Sequence, residues 1–155
     1  MIPEPAYNGA SSAKPYILVI EDSASDIRLL DFCLSANGFS GNLFAFQSGT
    51  KARDFLWSSP PMLPSLILMD IHLPEMEGID LLEAIRLHPF LKDIPVIVWT
   101  GQYSHHEAEI CRNLNTLEYF EKPIDVNVLN LFAERMITRW EQFVVAEHEE
   151  KAGKK

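Results

Sequence analysis

The chain has 155 residues, of which 47% are hydrophobic and 10% aromatic, enough to bury one core and to argue for a single domain. Its formal net charge is −9, from 22 acidic against 13 basic residues, so little basic surface remains for the phosphates of nucleic acid. The sequence contains no apolar run long enough to cross a bilayer and no secretion signal. We therefore expect a cytoplasmic protein whose partner is another protein or a cation.

The chain begins with a segment that has no periodic apolar pattern, and we expect residues 1–14 to be a disordered tail. A continuous apolar run, Tyr16–Ile20, comes next. A run of this length without alternation predicts a strand that is buried on both faces. The acids Glu21 and Asp22 follow it directly, at the end of the predicted strand.

A helix is predicted after this acidic pair. Ser23, with Asp26 three residues later, is typical of a capping-box helix start. Apolar residues then recur at helical spacing until Asn37-Gly38 ends the helix. Cys33 lies in this helix and Cys111 in a later one, and their spacing fits neither a CxxC pair nor a metal site. Two buried free thiols are the favoured interpretation.

Four more strands and four more helices are predicted along the remaining chain, so that the two element types alternate. The predicted strands are Asn42–Phe46, Leu66–Met69, Ile94–Trp99 and Leu117–Phe120. The predicted helices are Ser48–Trp57, Ile79–Leu87, Ser104–Asn115 and a long helix from Asp125. We expect one domain over residues 15–145, followed by a charged tail over residues 146–155.

Strands that alternate with helices predict a parallel sheet with helices on both faces. In such sheets a ligand binds outside the carboxyl ends of the strands. Polar side chains stand at four of these ends and are expected to meet there. They are Glu21 and Asp22, Asp70, Thr100 and Lys122.

This group of side chains predicts phosphoryl chemistry. Three carboxylates placed together repel one another unless a cation joins them, and Mg²⁺ prefers oxygen ligands of this kind. With the metal held, Asp70 can act as a nucleophile toward phosphorus. Mg²⁺, the Lys122 ammonium and the Thr100 hydroxyl would each hold one equatorial oxygen of the transferred group.

The order of these residues resembles that of the receiver domains of two-component response regulators, over about residues 15 to 145. The matching residues are Glu21-Asp22, Asp70 within DIHLPEMEG, Thr100, Tyr119 and Lys122-Pro123. The resemblance implies an α/β fold of the flavodoxin-like, doubly wound type. It would contain a five-stranded parallel sheet in the order 2-1-3-4-5 and five helices.

The same resemblance implies roles for the residues at the carboxyl ends of the strands, which we call the rim of the sheet. Asp70 would be the phosphoacceptor, Asp22 a ligand of Mg²⁺, and Glu21 an assisting ligand that acts through water. Asp70 itself and the backbone carbonyl of His72 would complete the metal ligands. Lys122 would pair with Asp70 and with the phosphoryl group that Asp70 carries.

The resemblance also implies a switch and a particular backbone conformation. Thr100 and Tyr119 would form the switch pair that responds to the phosphate. The peptide bond between Lys122 and Pro123 would be cis.

The function implied is that of a single-domain response regulator that takes a phosphoryl group from a histidine kinase onto Asp70 and signals to a protein partner by a change of conformation. The run VIEDSASDIRLL is most similar to stand-alone receivers that serve phytochrome-type or other sensor histidine kinases. Expected partners are such a kinase or a phosphotransfer protein, and a downstream protein. A homodimer through the fourth helix, fifth strand and fifth helix is an alternative, whereas nucleic acid and membrane are not expected.

Such a protein is a self-catalysed phosphoacceptor and not a turnover enzyme. Three alternative functions each require a sequence feature that can be compared with this chain. A phosphatase with an aspartyl nucleophile would carry DxDx(T/V) at the first strand, whereas Asp70 comes late and is followed by Ile71-His72. A pseudo-receiver that serves only as an interaction module would lack the acids or the lysine. A flavin-binding protein would need a phosphate loop after Ile20, where acids stand instead.

Overall fold

The computed structural model describes residues 2–4, 14–123 and 125–153, and within them five strands alternate with five helices. The strands are β1 (Tyr16–Ile20), β2 (Asn42–Phe46), β3 (Leu66–Asp70), β4 (Val96–Thr100) and β5 (Glu118–Glu121). The helices are α1 (Ala24–Ala36), α2 (Gly49–Trp57), α3 (Gly78–Leu87), α4 (His105–Asn113) and α5 (Val126–Gly153). All strand pairs are parallel and their order is β2-β1-β3-β4-β5, which confirms the predicted fold.

The sheet is covered on both faces, which explains why its strands read as continuous apolar runs. In β1, Leu18 and Ile20 face the core layer that contains α2 and α3, whereas Ile17 and Val19 face the layer that contains α1 and α5. Every residue of β1, β3 and β4 is buried. The three central strands therefore fix the positions of the residues at their carboxyl ends.

Both cysteines are free and buried, as predicted. Burial raises the pKa of the Cys111 thiol to about 11, with a smaller contribution from the nearby charge of Glu107. Burial also raises the pKa of the Cys33 thiol. Both side chains thus act as small apolar groups of the core.

Helix α5 is longer than the sequence pattern indicates, because it runs through Gly153 and includes most of the segment predicted to be a charged tail. Glu and Lys are good helix formers and continue the last turns into solvent. The first half of α5 packs on the sheet, and the ring of Trp140 lies 4.8 Å from that of Phe39, so Trp140 belongs to the core. No helix in the described part of the chain is both long and apolar enough to cross a membrane.

The N-terminal segment is described only at residues 2–4, since residue 1 and residues 5–13 of the predicted tail lie outside the described residues. The carbonyl of Pro3 accepts a hydrogen bond from the backbone N–H of Ala45 at 3.0 Å. Glu4 and Lys51 form an exposed ion pair at 3.6 Å. Residues 2–4 therefore lie along the outer edge of β2 rather than free in solvent.

Arg86, near the end of α3, contacts two loops at the amino ends of the strands. Its guanidinium donates to the carbonyl of Leu114 at 2.8 Å, after α4. It also donates to the carbonyls of Lys92 and Ile94 at 2.9 and 2.7 Å, before β4. Hydrogen bonds from a charged donor are among the stronger ones in proteins. Arg86 therefore fixes the two loops that lead into β4 and β5.

We expect Arg86→Met to lower the free energy of unfolding by about 2 kcal/mol, because it keeps the apolar stem but leaves these carbonyls without their donor. The measurement is urea unfolding followed by circular dichroism. Arg53→Met is the matched control, since the Arg53 guanidinium lies on the exposed face of α2, 5.5 Å from the Trp57 ring. Equal stability of the two variants would contradict a bracing role for Arg86.

Candidate functional site

Three carboxylates meet at the carboxyl ends of β1 and β3, as the sequence predicts. One carboxylate oxygen each from Glu21, Asp22 and Asp70 lies within 4.8 Å of the other two. Glu21 and Asp70 are buried, whereas Asp22 is exposed. Neighbouring parallel strands end at one rim, and β1 pairs directly with β3, so the fold itself brings these acids together.

Lys122 provides the positive charge of the site. Its Nζ atom lies 2.8 Å from Asp70 Oδ2 and 2.9 Å from each carboxylate oxygen of Glu21. Its backbone N–H donates to the carbonyl of Thr100 at 2.7 Å, which extends the pairing of β5 with β4 and places the side chain at the rim. The Lys122 side chain is only 18% exposed. The pairing with Asp70 is thus largely shielded from solvent.

The protonation of these groups reflects burial and pairing. Burial alone lowers the pKa of the Lys122 ammonium, but its hydrogen bonds to Asp70 and Glu21 outweigh burial and raise the pKa above its ordinary value. Burial raises the pKa of the Glu21 carboxyl, and the pairing with Lys122 opposes this only in part. Lys122 therefore stays charged at neutral pH, whereas the Glu21 carboxyl holds its proton to a higher pH than a free glutamate does.

The donor atoms of this pocket fit a hard divalent cation. Carboxylate oxygens are the ligands that Mg²⁺ prefers, and it accepts one or two of them together with waters and phosphate oxygens. Among the described residues, Glu21 Oε2 is one of the few buried side-chain atoms without a well-formed hydrogen bond, although Lys122 Nζ is near. Glu21, Asp22 and Asp70 are the side chains that could hold such an ion.

His72 stands beside the pocket, two residues after Asp70. Its backbone N–H donates to Asp70 Oδ1 at 2.8 Å and so fixes the second oxygen of that carboxylate. Its side chain reaches α4, where Nε2 lies 3.3 Å from Oε1 of Glu107. The proposed role of the His72 backbone carbonyl as a metal ligand stays a prediction.

Thr100 and Tyr119 both bond to the loop between β4 and α4. The buried Thr100 hydroxyl donates to the carbonyl of Gln102 at 3.1 Å. The Tyr119 hydroxyl accepts a hydrogen bond from the backbone N–H of Ser104, the N-cap of α4, at 3.1 Å. The Tyr119 ring also packs edge-on against Tyr103, with centroids 5.3 Å apart. One loop therefore connects the end of β4 with the predicted switch tyrosine.

Asp26 also belongs to the site, although its sequence position indicates only a role in helix capping. Its Oδ2 atom lies 3.1 Å from Lys122 Nζ. The sequence places an acid in the first turn of a helix that starts at the rim, which is compatible with a role in the site. An acid at this position also stabilises a helix through the helix dipole, without any role in a site. Local pattern could not separate these two roles.

The prediction of a cis peptide bond between Lys122 and Pro123 is wrong, because no cis peptide bond occurs among the described residues. The trans form is intrinsically favoured at X–Pro bonds by about 0.5–1 kcal/mol. Lys122 reaches Asp70 with the bond in the trans form.

The fold and the acidic rim define a class of protein, and the chain belongs to it: the response regulator receiver domain family, whose model matches residues 17–134. This finding confirms the resemblance derived from the order of Asp70, Thr100 and Lys122.

The chain is similar in sequence to individual response regulators. The response regulator Rcp1 of Synechocystis sp. is 35% identical over 105 residues, which are 64% of this chain and 69% of Rcp1. The two-component response regulator ORR1 of rice (Oryza sativa) is 31% identical over 113 residues, which are 70% of this chain and 49% of the rice protein. The chain therefore matches about half of this longer relative.

Two solved structures resemble the chain over most of its length. The phosphorylated cyanobacterial phytochrome response regulator RcpA matches with a TM-score of 0.75 and 26% identity, over 83% of this chain and 94% of RcpA. The Mn²⁺-bound form of Rcp1 matches with a TM-score of 0.74 and 29% identity, over 83% of this chain and 94% of Rcp1.

Proposed function

We propose that this protein accepts a phosphoryl group on Asp70 from the phosphohistidine of a sensor histidine kinase or a phosphotransfer protein, in a reaction that depends on Mg²⁺. The observation that carries the proposal is the contact of the Lys122 ammonium with Asp70 beside the three grouped carboxylates. A surface aspartate would have neither a buried cation nor neighbouring acids at this distance.

The transfer follows from the position of Asp70. A carboxylate oxygen of Asp70 attacks phosphorus, the bond between phosphorus and the histidine nitrogen breaks, and its electron pair returns to the imidazole. The contacts with His72 N–H and Lys122 Nζ hold the carboxylate from both sides, so it is oriented before the donor arrives. Bound Mg²⁺, held by Glu21, Asp22 and Asp70, would neutralise charge on the phosphoryl oxygens.

The signal leaves the site through the β4–α4 loop. In the phosphorylated protein, we expect the Thr100 hydroxyl to exchange its bond to Gln102 for one to a phosphoryl oxygen. Tyr119 then turns inward and gives up its contacts with Ser104 and Tyr103. Both changes act at the start of α4, so they bias the face formed by α4, β5 and α5 between two states. This face would bind a downstream protein, or a second copy of the chain.

The source of the phosphoryl group is proposed from the relatives. RcpA is described as a cyanobacterial phytochrome response regulator, and we extend this to a phytochrome-like sensor histidine kinase for the present chain. The net charge of −9 argues against nucleic acid as the downstream partner. The same pocket would catalyse the slow transfer of the phosphoryl group from Asp70 to water, as a self-limiting switch requires.

The test uses acetyl phosphate as a small donor. Wild-type protein with MgCl₂ should gain one base-labile phosphoryl group by intact mass, and excess EDTA should prevent the gain. Asp70→Asn should remain unlabelled, because the amide is not a nucleophile toward phosphorus. Asp54→Asn, at an exposed position on α2, is the matched control and should label like wild type. Equal labelling of the Asp70 variant would remove Asp70 from the mechanism.

A further inference from the structure

The carboxylate of Asp26 is directed at the proposed phosphoacceptor site although it stands on a different element from the other acids. Asp26 lies in the first turn of α1, and its Oδ2 atom is 3.1 Å from Lys122 Nζ. The two residues are 96 positions apart in the sequence. The contact is thus a tertiary one between α1 and the segment after β5.

Helix capping does not account for the position of this carboxylate. In a capping box, the acid at the third helical position accepts a hydrogen bond from the backbone N–H of the N-cap residue. Here the N-cap is Ser23, and its backbone N–H donates instead to Oε1 of Glu21 at 3.1 Å. The backbone N–H of Asp26 donates to the Ser23 hydroxyl at 3.3 Å, which is the other half of the box. The Asp26 carboxylate is therefore available for Lys122.

Asp26 completes the hydrogen bonding of the lysine. An ammonium has three N–H donors, and Lys122 Nζ has carboxylate partners at hydrogen-bond distance in three residues, Glu21, Asp26 and Asp70. The ring of Trp99 lies 5.2 Å from Nζ and supports the ammonium from a further side. A lysine on a flexible four-carbon stem becomes fixed when all three donors are used.

We propose that Asp26 is a positioning residue for phosphoryl transfer, which holds the Lys122 ammonium in place over Asp70. This inference rests on the proposed function of Asp70. When the phosphoryl group arrives, the lysine must already be placed to meet the incoming negative charge, because preorganised charge costs no rearrangement during the reaction. Without Asp26, one donor of Lys122 turns to solvent and the ammonium spends less time beside Asp70.

The experiment compares the initial rate of phosphorylation by acetyl phosphate at saturating Mg²⁺ in three variants. Asp26→Ala should lower the rate at saturating donor about tenfold, because it removes the acceptor for one Lys122 donor. Asp26→Asn keeps an acceptor oxygen and should stay within about threefold of wild type. Both variants lose the same charge, so a difference between them reports the hydrogen bond. Asp31→Ala, in the same helix, is the matched control.

A second measurement separates positioning from a general structural effect. The side-chain ammonium of Lys122 should give a protected NMR signal in wild type, in Asp31→Ala and in Asp26→Asn, and should exchange with solvent in Asp26→Ala. Circular dichroism should show the same fold in all of them.

The outcomes distinguish this inference from the proposed function. If wild type is labelled and Asp26→Ala is labelled at the same rate with a protected Lys122 signal, only the role of Asp26 is overturned. If Asp26→Asn is as slow as Asp26→Ala, charge rather than positioning is responsible, and the inference fails. If wild type takes up no phosphoryl group, the proposed function fails and this inference fails with it.

Discussion

Replacement of Gly78 by alanine is expected to lower the free energy of unfolding by about 3 kcal/mol, because the new methyl group would collide with backbone atoms. A β-carbon at Gly78 would lie 2.4 Å from Ile71 Cα and 2.7 Å from the carbonyl oxygen of Asp70. Neither atom can rotate away, and the Gly78 N–H also donates to the Ile71 carbonyl at 2.9 Å. Relief would require the start of α3 to move away from the end of β3.

This collision should also reduce phosphorylation, since the backbone that would be displaced belongs to Asp70 and its neighbour. Urea unfolding measures the stability, and labelling by acetyl phosphate measures the site. Gly101→Ala is the matched control, because a β-carbon at Gly101 would meet no atom within 4 Å. Its stability should stay within about 0.5 kcal/mol of wild type. Similar stabilities for the Gly78 and Gly101 variants would refute the close packing at Gly78.

The sequence predicts the elements around Gly78 but not the close packing of Gly78 itself. The run from Leu66 to Gly78 indicates a buried strand, a polar strand end and a turn, and β3 ends at Asp70, one residue beyond the predicted strand Leu66–Met69. The pattern gives no hint that the glycine itself touches the strand end. A turn glycine and a glycine required for close packing look alike in one sequence, since the difference lies in atoms that are brought near only by the fold.

The grouping of polar residues at the rim could be predicted because it depends only on the order and direction of the strands. Parallel strands that alternate with helices end at one edge, so residues that follow buried strands must meet. The sequence alone therefore groups Glu21, Asp70, Thr100 and Lys122. The contacts of Lys122 with Glu21 and Asp70 are those expected of such a group.

The charged residues within helices were harder to interpret. Asp26 and Arg86 each have a sufficient local explanation, as an acid near a helix N-terminus and a base near a helix C-terminus. Their actual partners lie far away in the sequence, at Lys122 for the acid and beyond α4 for the base. A periodic pattern reports which face of a helix is buried, but it does not report which distant carbonyl or ammonium a polar side chain contacts.

The uneven balance of charge at the rim connects stability with the proposed chemistry. Two buried carboxylates, Glu21 and Asp70, share one ammonium, and the pKa of the Glu21 carboxyl is raised by burial despite that ammonium. A pocket of this kind resists the approach of further negative charge unless another cation is present. The requirement for Mg²⁺ in the proposed reaction follows from the same excess of negative charge that makes the pocket costly to bury.

Replacement of Lys122 by methionine is therefore expected to lower the free energy of unfolding by about 3 kcal/mol at pH 8 without Mg²⁺, because it leaves two buried carboxylates without a counter-charge. Loss of the lysine removes the interactions that oppose the raised pKa of Glu21, so its pKa should rise further. A carboxyl whose pKa is higher in the folded than in the unfolded protein lowers the stability as the pH rises from the unfolded pKa toward the folded pKa, because only the unfolded chain releases its proton there. The deficit should therefore be small near pH 4 and should grow as the pH rises.

The same reasoning predicts that excess MgCl₂ restores part of the lost stability at pH 8, because an ion held by Glu21, Asp22 and Asp70 supplies positive charge and binds only the folded protein. Urea unfolding of wild type and Lys122→Met at both pH values, with and without MgCl₂, measures all three effects. Lys92→Met, at an exposed position before β4, should show none of them. A deficit for the Lys122 variant that is the same at pH 4 and pH 8 would mean that lost packing of the lysine stem, and not unpaired charge, causes the destabilisation.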